Sequence, residues 1–396
     1  MAGNKPKAFL EIEKRTKDLA FCFSVGLARV QSEAEVERSL AELCELVRAA
    51  GGEVVGMLSQ RRQQIDAATY IGKGKLEELK LAAETVGANI LVCDDELSPA
   101  QLRNIEDYCQ MKVVDRSLLI LDIFARRAKT AEGKLQVELA QQAYLLPRLR
   151  AQVGFHSRTG GGIGTRGPGE TIMDRDRRHI RKRIDHLKKE LKQVEARRNR
   201  DRAKRTRQAG VFNIAVVGYT NAGKSTLVNT LCKSELLAQD QVFATLDPAS
   251  RRFNLAEIKN DVVLTDTVGF VRKLPHHLVE AFKSTLEEAA HADLILHVVD
   301  AADPQAGDCV RVCLELLTEL KANHIPRIDV LNKMDQINSE EIEPELYALL
   351  RRSDQPEVAE ISAKTGAGIP ELRAMLVAKL LELGAKKRIS YEATEQ

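Results

Sequence analysis

Residues 218–225, Gly218-Tyr-Thr-Asn-Ala-Gly-Lys-Ser225, form a glycine-rich loop of the pattern GxxxxGK(S/T). The apolar run before it, residues 211–217, predicts a buried strand, and the spacing of residues 226–232 after it predicts a helix. A strand, a glycine loop and a helix N-terminus in this order bind phosphate, because backbone N–H groups and the positive end of the helix face the anion. Lys224 would reach the outer phosphates and Ser225 would ligate Mg²⁺. The loop therefore predicts a nucleotide-binding strand-loop-helix unit in this part of the chain, although alone the pattern also occurs by chance or in ATPases.

A second motif, Asp266-Thr-Val-Gly269, follows the strand-like run 261–265. An acidic residue at the end of a strand beside the loop can hold the metal, and a glycine N–H nearby can contact a γ-phosphate. The pair of motifs therefore predicts a site for a magnesium-bound nucleoside triphosphate.

Two motifs further along the chain indicate the base. Asn332-Lys-Met-Asp335 follows the apolar run 325–331, and Asp335 can accept hydrogen bonds from both the N1–H and the N2–H₂ groups of guanine. Adenine lacks this donor pair and would leave a buried charge unpaired, at a cost of about 1–3 kcal/mol or more. Ser362-Ala-Lys364 follows strand 357–361, where a backbone N–H can contact guanine O6. Each motif alone is also typical of a surface turn, but four at the carboxyl ends of predicted strands predict a GTP-binding domain.

The composition bounds the rest of the chain. Its 396 residues suggest about two or three domains, and a hydrophobic content of 44% is that of an ordinary globular protein. No apolar stretch approaches the about 20 residues of a membrane helix, and the N-terminus has no signal-peptide core. The seven scattered cysteines include no CxxC pair, so we expect reduced thiols. We expect a cytoplasmic protein without a membrane span, and a monomer.

Positive charge is concentrated in one segment. Residues 174–207 contain 16 Lys/Arg and 6 Asp/Glu, a local balance of +10 in a chain whose net charge is only +3. Apolar residues recur there at spacings of four and three, which predicts a long helix with one apolar seam and a basic outer face. The seam needs a partner helix, and residues 133–149 are the best candidate for an antiparallel hairpin. The seam residues are Ile180, Ile184, Leu187, Leu191 and Val194.

A glycine-rich stretch, residues 158–170, separates the two predicted helices. It contains a GxGxxG pattern, but a dinucleotide site is rejected because a helix rather than a strand precedes it. Flexible glycines and arginines suited to phosphate favour RNA contact at the tip of the hairpin. A solvated, charged linker stays an alternative, and a membrane-surface helix is disfavoured because the apolar stripe lacks aromatic anchors. The predicted RNA-binding residues are Arg158, Arg166, Arg175, Arg177, Arg178, Arg181, Lys182 and Arg183.

Residues 19–128 alternate between strand and helix patterns. Strands are predicted at 19–25, 53–58, 88–92 and 111–114, with helices at about 32–50, 74–86 and 98–109. This order predicts a small α/β domain with a parallel sheet. Thr69-Tyr-Ile-Gly-Lys-Gly-Lys75, at a helix start, is interpreted as a capping turn, while a second phosphate site there and use of ATP stay open.

The chain resembles the HflX family, ribosome-binding GTPases of the Obg–HflX branch, over essentially its whole length. The N-terminal half carries Tyr70-Ile-Gly-Lys-Gly-Lys75, Asp95-Glu-Leu-Ser-Pro-Ala-Gln101, Asp115-Arg-Ser-Leu-Leu-Ile-Leu-Asp-Ile-Phe-Ala125 and Glu132-Gly-Lys-Leu-Gln-Val-Glu-Leu-Ala140. Further along, the resemblance rests on Gly161-Gly-Ile-Gly-Thr-Arg-Gly-Pro-Gly-Glu170, Phe243-Ala-Thr-Leu-Asp-Pro248 and Asp266-Thr-Val-Gly-Phe-Val-Arg-Lys-Leu-Pro275. After Glu170 the family often continues with Gln-Leu-Glu, whereas this chain continues with Thr171-Ile-Met-Asp174.

The resemblance implies an α/β protein in three parts. An N-terminal HflX domain with a parallel sheet (1–128) would precede a long, basic helical hairpin (129–210). A P-loop GTPase domain with a mostly parallel sheet flanked by helices (211–386) and a short tail (387–396) would follow. The resemblance also implies binding to the large ribosomal subunit and its rRNA, with the hairpin loop near the peptidyl-transferase region, and separation of stalled or stressed ribosomes into subunits.

The resemblance also assigns the site. Thr245 would ligate Mg²⁺ beside Ser225 and sense the γ-phosphate, Asp266 would hold the metal through water, and Lys224, Thr245 and Gly269 would be catalytic. The predicted residues that bind GTP or GDP are Gly218, Tyr219, Thr220, Asn221, Ala222, Gly223, Lys224, Ser225, Thr226, Phe243, Ala244, Thr245, Leu246, Asp247, Asp266, Thr267, Val268, Gly269, Asn332, Lys333, Met334, Asp335, Ser362, Ala363 and Lys364.

Residue 270 is phenylalanine, where Ras-like enzymes place a glutamine that orients the attacking water. A phenyl ring cannot hydrogen-bond to water, so we predict slow hydrolysis by the isolated protein and acceleration when the ribosome orders residues 243–246 and 270–273. Two other functions stay open. One is a ribosome-assembly or RNA-processing GTPase, and the other is a regulatory GTPase that acts on a protein or membrane partner.

Overall fold

The computed structural model describes residues 18–149, 172–207, 210–232, 249–273, 289–337, 342, 344–350 and 357–386. The chain divides into two compact units between Leu119 and Ile120, inside a helix. The domain limits predicted at residues 128, 210 and 386 stay predictions.

The first unit contains a four-stranded sheet of order β2-β1-β3-β4, in which every neighbouring pair of strands is parallel. This confirms the predicted parallel α/β architecture, because parallel strands require helical crossovers between them. The strands are β1 (Leu19–Leu27), β2 (Glu53–Arg62), β3 (Ile90–Cys93) and β4 (Lys112–Asp115), and the helices are α1 (Glu33–Ala49), α2 (Lys73–Thr85) and α3 (Pro99–Cys109). Helix α4 (Arg116–Arg127) begins in this unit and contains the boundary with the second one.

Local sequence fixes where two of these helices begin. Before α1, the Ser32 hydroxyl accepts from the backbone N–H of Glu35, and the Glu35 carboxylate accepts from the N–H of Ser32. Ser98 and Gln101 form the same reciprocal pair before α3. Each pair satisfies two backbone donors that a helix start leaves without partners, which is why the chain turns helical at these points.

A buried ionic cluster joins the strand ends of the first unit. Arg116, only 1% exposed, donates to Asp94 (2.8 Å) and to Glu42 (2.7 Å). The hydroxyls of Ser24 and Ser39 donate to the other oxygen of Asp94 at 3.3 Å and 2.6 Å. The cluster connects β1, α1, the end of β3 and the start of α4. Since a buried charge is stable only when it is paired and hydrogen-bonded, these contacts hold the four elements together.

In the second unit, helices α5 (Ala131–Arg148) and α6 (Ile172–Arg207) pack against each other, as the apolar seam predicts. Leu187 and Leu191 of the seam are buried, whereas its other three members are half-buried. Arg183 makes a two-pronged ion pair with Glu138 of α5, at 2.7 Å and 2.8 Å. The packing therefore combines a narrow apolar contact with one well-oriented ion pair.

The rest of the second unit is built on a six-stranded sheet of order β10-β9-β8-β5-β7-β6. Its pairings are parallel except for that of β6 with β7, so the predicted mostly parallel sheet is confirmed. The strands are β5 (Val211–Gly218), β6 (Ala249–Phe253), β7 (Asp261–Asp266), β8 (Leu294–Asp300), β9 (Arg327–Asn332) and β10 (Val358–Glu360), and the helices are α7 (Lys224–Cys232), α8 (Ala306–Glu319), α9 (Pro344–Leu350) and α10 (Ile369–Glu382).

The order of the strands in this sheet determines where a ligand site is expected. β5 lies between β7 and β8, so the chain leaves β5 toward one edge of the sheet and later returns to its other side. A crevice at the carboxyl ends of the strands is expected at such a reversal, and this is where open α/β sheets bind ligands. The four predicted motifs all follow strands of this sheet, so their loops lie at one edge.

Candidate nucleotide site

The glycine loop lies between β5 and α7, as predicted. A Cβ atom on Gly218 would lie 2.2 Å from the carbonyl oxygen of Val298 in β8, and one on Gly223 would lie 2.2 Å from Nδ2 of Asn332. Gly223 also has a φ of 91°, a conformation that side chains disfavour. Both glycines therefore stand where a larger residue would collide with a neighbouring part of the site.

Lys224 lies under this loop and is 7% exposed. Its ammonium donates to the carbonyl oxygens of Gly218 (3.1 Å) and Tyr219 (2.7 Å). Burial lowers the pKa of Lys224, and the negative charge of Asp266 partly offsets this. The ammonium is thus held in a fixed position beside the loop, where it can neutralise the charge of outer phosphates.

Ser225 and Asp266 meet at the start of α7. The Ser225 hydroxyl donates to the Asp266 carboxylate at 2.6 Å, and Asp266 is fully buried at the end of β7. The next residue, Thr267, donates its hydroxyl to the carbonyl of Val216 at 2.8 Å, which fixes β7 against β5. A hydroxyl and a carboxylate at a helix N-terminus are oxygen donors of the kind that Mg²⁺ prefers, so these two side chains fit a magnesium ion. When bound, the ion would neutralise phosphate charge.

The segment after Asp266 lies against the glycine loop. The N–H of Phe270 donates to the Gly218 carbonyl (3.1 Å), and the Thr220 N–H donates to the Phe270 carbonyl (2.8 Å). A Cβ atom on Gly269 would lie 3.0 Å from the Lys224 ammonium, so this glycine sits directly beside it. The Phe270 side chain is 1% exposed and is therefore packed inside the protein.

Asn332 connects three loops of the site. Its side-chain amide donates to the Ala222 carbonyl (2.8 Å), and its carbonyl oxygen accepts from the Ala363 N–H (2.9 Å). The side chain is 2% exposed. One buried amide therefore ties the phosphate loop to both of the loops that are predicted to contact guanine.

Asp335 is the residue predicted to select the base. Its carboxylate accepts from the Ser362 hydroxyl at 2.6 Å, and this hydrogen bond holds the pKa of Asp335 below its usual value. Ser362 is buried, and its hydroxyl also accepts from the Thr365 N–H, so its orientation is fixed. The Asp335 residue is itself exposed, which leaves its carboxylate accessible to a base.

Sequence reasoning missed three supporting residues, which are Asp300, the partner of the predicted Lys333, and the pair Arg272 and Asp308. Lys333 makes an ion pair with Asp300 at 2.6 Å, and burial raises the pKa of that carboxyl while Lys333 opposes the rise. The Arg272 guanidinium pairs with Asp308 of α8 at 2.9 Å. Asp300 ends β8, so the rule that ligand sites lie at carboxyl ends of strands could have found it; no local pattern marks Asp308.

Part of the predicted site lies outside the described residues. This applies to Phe243, Ala244, Thr245, Leu246 and Asp247, and to Arg158 and Arg166 of the glycine-rich stretch. Of the other predicted RNA-binding residues, Arg175, Arg178, Arg181 and Lys182 are exposed and Arg177 is half-buried. Arg183 is engaged with Glu138 inside the hairpin, so its guanidinium has a structural partner.

The Thr69–Lys75 motif of the first unit is a helix start, as interpreted. Gly72 precedes α2, and the Tyr70 hydroxyl donates to Asp95 and accepts from the N–H of Val25 at 3.1 Å. Tyr70 is buried and has a φ of 64°. The motif therefore anchors the α2 loop to the ends of β1 and β3.

These features define a class. A phosphate loop between a parallel strand and a helix, an acidic residue hydrogen-bonded to the loop serine, and an Asn-Lys-Met-Asp loop joined to a Ser-Ala-Lys loop are the parts of a P-loop GTPase. Three family models match the chain: "GTP-binding GTPase N-terminal" over residues 37–125, "GTP-binding GTPase Middle Region" over 127–205, and "50S ribosome-binding GTPase" over 213–333.

Relatives with a known family name match most of this length. The chain is 52% identical over 309 residues to the GTPase HflX of Caldanaerobacter subterraneus subsp. tengcongensis, covering 78% of this chain and 72% of that protein. It is 45% identical over 341 residues to the GTPase HflX of Escherichia coli strain K12, covering 86% and 79% respectively. The protein belongs to the HflX family of GTPases.

A solved structure agrees at the level of the fold. The crystal structure of SsGBP in complex with GDP matches with a TM-score of 0.52 and 24% identity, covering 92% of this chain and 99% of that one. Among the residues that the structure describes, no helix has both the length and the apolar character needed to cross a membrane.

Proposed function

We propose that this protein hydrolyses GTP with Mg²⁺, associates with the large ribosomal subunit in the cytoplasm as a monomer, and splits stalled or stressed ribosomes into subunits. The observation that carries the proposal is the match of residues 213–333 to a model described as a 50S ribosome-binding GTPase, on the same chain as the basic helix α6. Exposed arginines on α6 give the protein a means of contacting rRNA, because cationic side chains release counterions from nucleic-acid phosphates.

The site supports hydrolysis by charge neutralisation. Lys224 and the Gly269 N–H would stabilise the charge that develops on the transferred phosphoryl group, and Ser225 and Asp266 would hold the ion. The described residues 269–273 place a buried phenyl ring at position 270, so this segment supplies no glutamine to orient water there. We therefore propose slow turnover by the isolated chain, with the ribosome completing the site.

The Ser225→Ala variant tests the magnesium site. Removing the hydroxyl deletes one proposed ligand, so we expect the affinity for GTP in the presence of Mg²⁺ to fall about ten-fold or more. GDP binding in excess EDTA should not change, because the metal does not contribute there. Isothermal titration of both nucleotides measures this, with Thr318→Ala on the exposed face of α8 as the matched hydroxyl control. Equal losses with and without Mg²⁺ would contradict the assignment.

Ribosome binding is tested by GTP turnover with and without purified large subunits, at low and high salt. The large subunit should stimulate the wild-type protein strongly, and salt should suppress the stimulation. In the triple variant Arg175→Gln/Arg178→Gln/Arg181→Gln, the stimulation should fall several-fold while turnover without ribosomes stays the same. The physical reason is that about one counterion is released for each phosphate contact.

A matched triple variant controls for the loss of charge alone. Arg252, Lys259 and Lys321 are exposed basic residues outside α6, and their replacement by glutamine should leave the stimulation intact. Equal losses of stimulation in both triple variants would count against α6 as the helix that contacts the large subunit. Stimulation by precursor particles but not by mature subunits would favour an assembly factor over a splitting factor, and no stimulation at all would refute the ribosomal proposal.

A further inference from the structure

The segment that follows the Asp266 motif is attached to the phosphate loop by more than its backbone. Besides the two backbone hydrogen bonds of Phe270, the N–H of Arg272 donates to the Tyr219 hydroxyl at 2.9 Å. Tyr219 is itself a member of the phosphate loop. The loop therefore contacts residues 269–273, here named the switch segment, through a side chain as well as through a short stretch of paired backbone.

The other side of the switch segment is attached to α8. The Arg272 guanidinium, 18% exposed, donates to the Asp308 carboxylate at 2.9 Å. Asp308 also pairs with Arg311, one turn further along α8. Because Asp308 lies on a regular helix that packs against the sheet, the ion pair gives Arg272 a rigid support. Arg272 is thus held at its backbone by Tyr219 and at its side chain by Asp308.

These two attachments fix a residue that lies beside the phosphate-binding ammonium. A Cβ atom on Gly269 would lie 2.8 Å from Cγ2 of Thr220 and 3.0 Å from Nζ of Lys224. The Gly269 backbone therefore stands where the γ-phosphate of a bound triphosphate would meet it. A diphosphate lacks the γ-phosphate and would therefore lack this contact with Gly269.

We propose that Tyr219 and Asp308 are positioning residues that set the preference of this site for a nucleoside triphosphate over a diphosphate. They act through Arg272, which holds Gly269 in place before the nucleotide arrives. When Gly269 is already in place, less of the binding free energy is lost in ordering the protein. The gain applies to the triphosphate and not to the diphosphate, because only the triphosphate contacts Gly269. The inference deepens the GTPase function and rests on it. It does not depend on the ribosome.

The Tyr219→Phe variant of the full chain tests this inference. It removes only the oxygen that accepts from the Arg272 N–H and keeps the ring. Equilibrium affinities for GDP and for the non-hydrolysable analogue GMPPNP are measured with Mg²⁺. We expect the GMPPNP affinity to fall about three- to ten-fold, the range for one lost hydrogen bond, and the GDP affinity to change less than about two-fold. Asp308→Asn, which removes the charge that pairs with Arg272, should likewise lower the affinity for GMPPNP relative to that for GDP.

Tyr347→Phe is the matched control, because its hydroxyl donates to Glu360 at the end of β10, and it should leave both affinities unchanged. Equal losses of GDP and GMPPNP in the Tyr219 and Asp308 variants would show general support of the loop and overturn the proposal, as would unchanged affinities. A wild-type chain that binds neither nucleotide would instead overturn the guanine-nucleotide assignment itself.

Discussion

Replacing Asp335 by asparagine is expected to lower the affinity for GTP by about a hundred-fold or more, because the side chain loses its charge and one of its two acceptor oxygens, and its new amide N–H₂ group would face the N2 amine of guanine. Xanthosine triphosphate carries an oxygen in place of the guanine N2 amine. The new amide can donate to that oxygen, so the variant should bind this nucleotide better than GTP. Asparagine can still accept the Ser362 hydroxyl through its carbonyl oxygen, so the loop should keep its structure.

The change in preference is measured by the concentrations of GTP and of xanthosine triphosphate that displace the same fluorescent nucleotide from the protein. Glu345→Gln, at an exposed position of α9, removes a charge from the same unit and should leave the preference for GTP unaltered. Because the pKa of Asp335 is depressed, its carboxylate stays charged as the pH falls below the usual value for aspartate, and guanine preference should persist there. An Asp335→Asn variant that still preferred GTP would refute the assignment of the base.

The second large effect is expected in the first unit. Arg116→Met removes the guanidinium that neutralises the fully buried Asp94, and breaking a buried ion pair on one side costs about 3–5 kcal/mol in the free energy of unfolding. The chain contains no tryptophan, so unfolding is better followed by thiol labelling across a urea gradient. Cys22 and Cys93 are fully buried in the first unit, and Cys313 is buried in the second. In the variant, Cys22 and Cys93 should become reactive at a lower urea concentration than in the wild-type protein, whereas Cys313 should react at the same concentration.

Two further variants test whether the unpaired buried charge causes the loss of stability in Arg116→Met. Arg48→Met breaks an exposed ion pair with Glu45 in the same unit and should change stability by less than about 1 kcal/mol. Adding Asp94→Asn to Arg116→Met removes the unpaired charge and keeps a side chain that accepts from Ser24 and Ser39, so much of the loss should be recovered. Similar shifts for Arg48→Met and Arg116→Met, or no recovery in the double variant, would argue against the ionic cluster.

Much of the fold could be predicted because its signals are local. The apolar runs at 211–217 and 261–265 correspond to β5 and β7, and the seam on residues 180–194 lies within the helix α6. Periodicity reports which face of an element is buried, and each motif lies next to its own strand. The helix starts at Ser32 and Ser98 are local in the same sense, since a capping pair spans only four residues.

The partners of buried polar groups could not be predicted in this way. Arg116 pairs with Asp94, 22 residues away, and with Glu42, 74 residues away. Asn332 donates to Ala222 across 110 residues, and Arg272 meets Tyr219 across 53. For Arg183 the sequence indicated an outward-facing cation, whereas the structure pairs it with Glu138. A charged side chain carries no sequence signal that distinguishes an internal partner from solvent or RNA.

By itself the sequence determined the class of this protein, its binding of a guanine nucleotide and the strands that precede its four motifs, because each motif and its strand are encoded over a few residues. Only the tertiary structure decided which side chains hold those motifs in place. The amide of Asn332 that links three loops, the Tyr219 and Asp308 contacts on Arg272, and the buried Arg116 cluster all depend on distant segments being brought together. Such contacts form when strands pair in a sheet and helices pack on it, and no local sequence pattern predicts which strands will be neighbours.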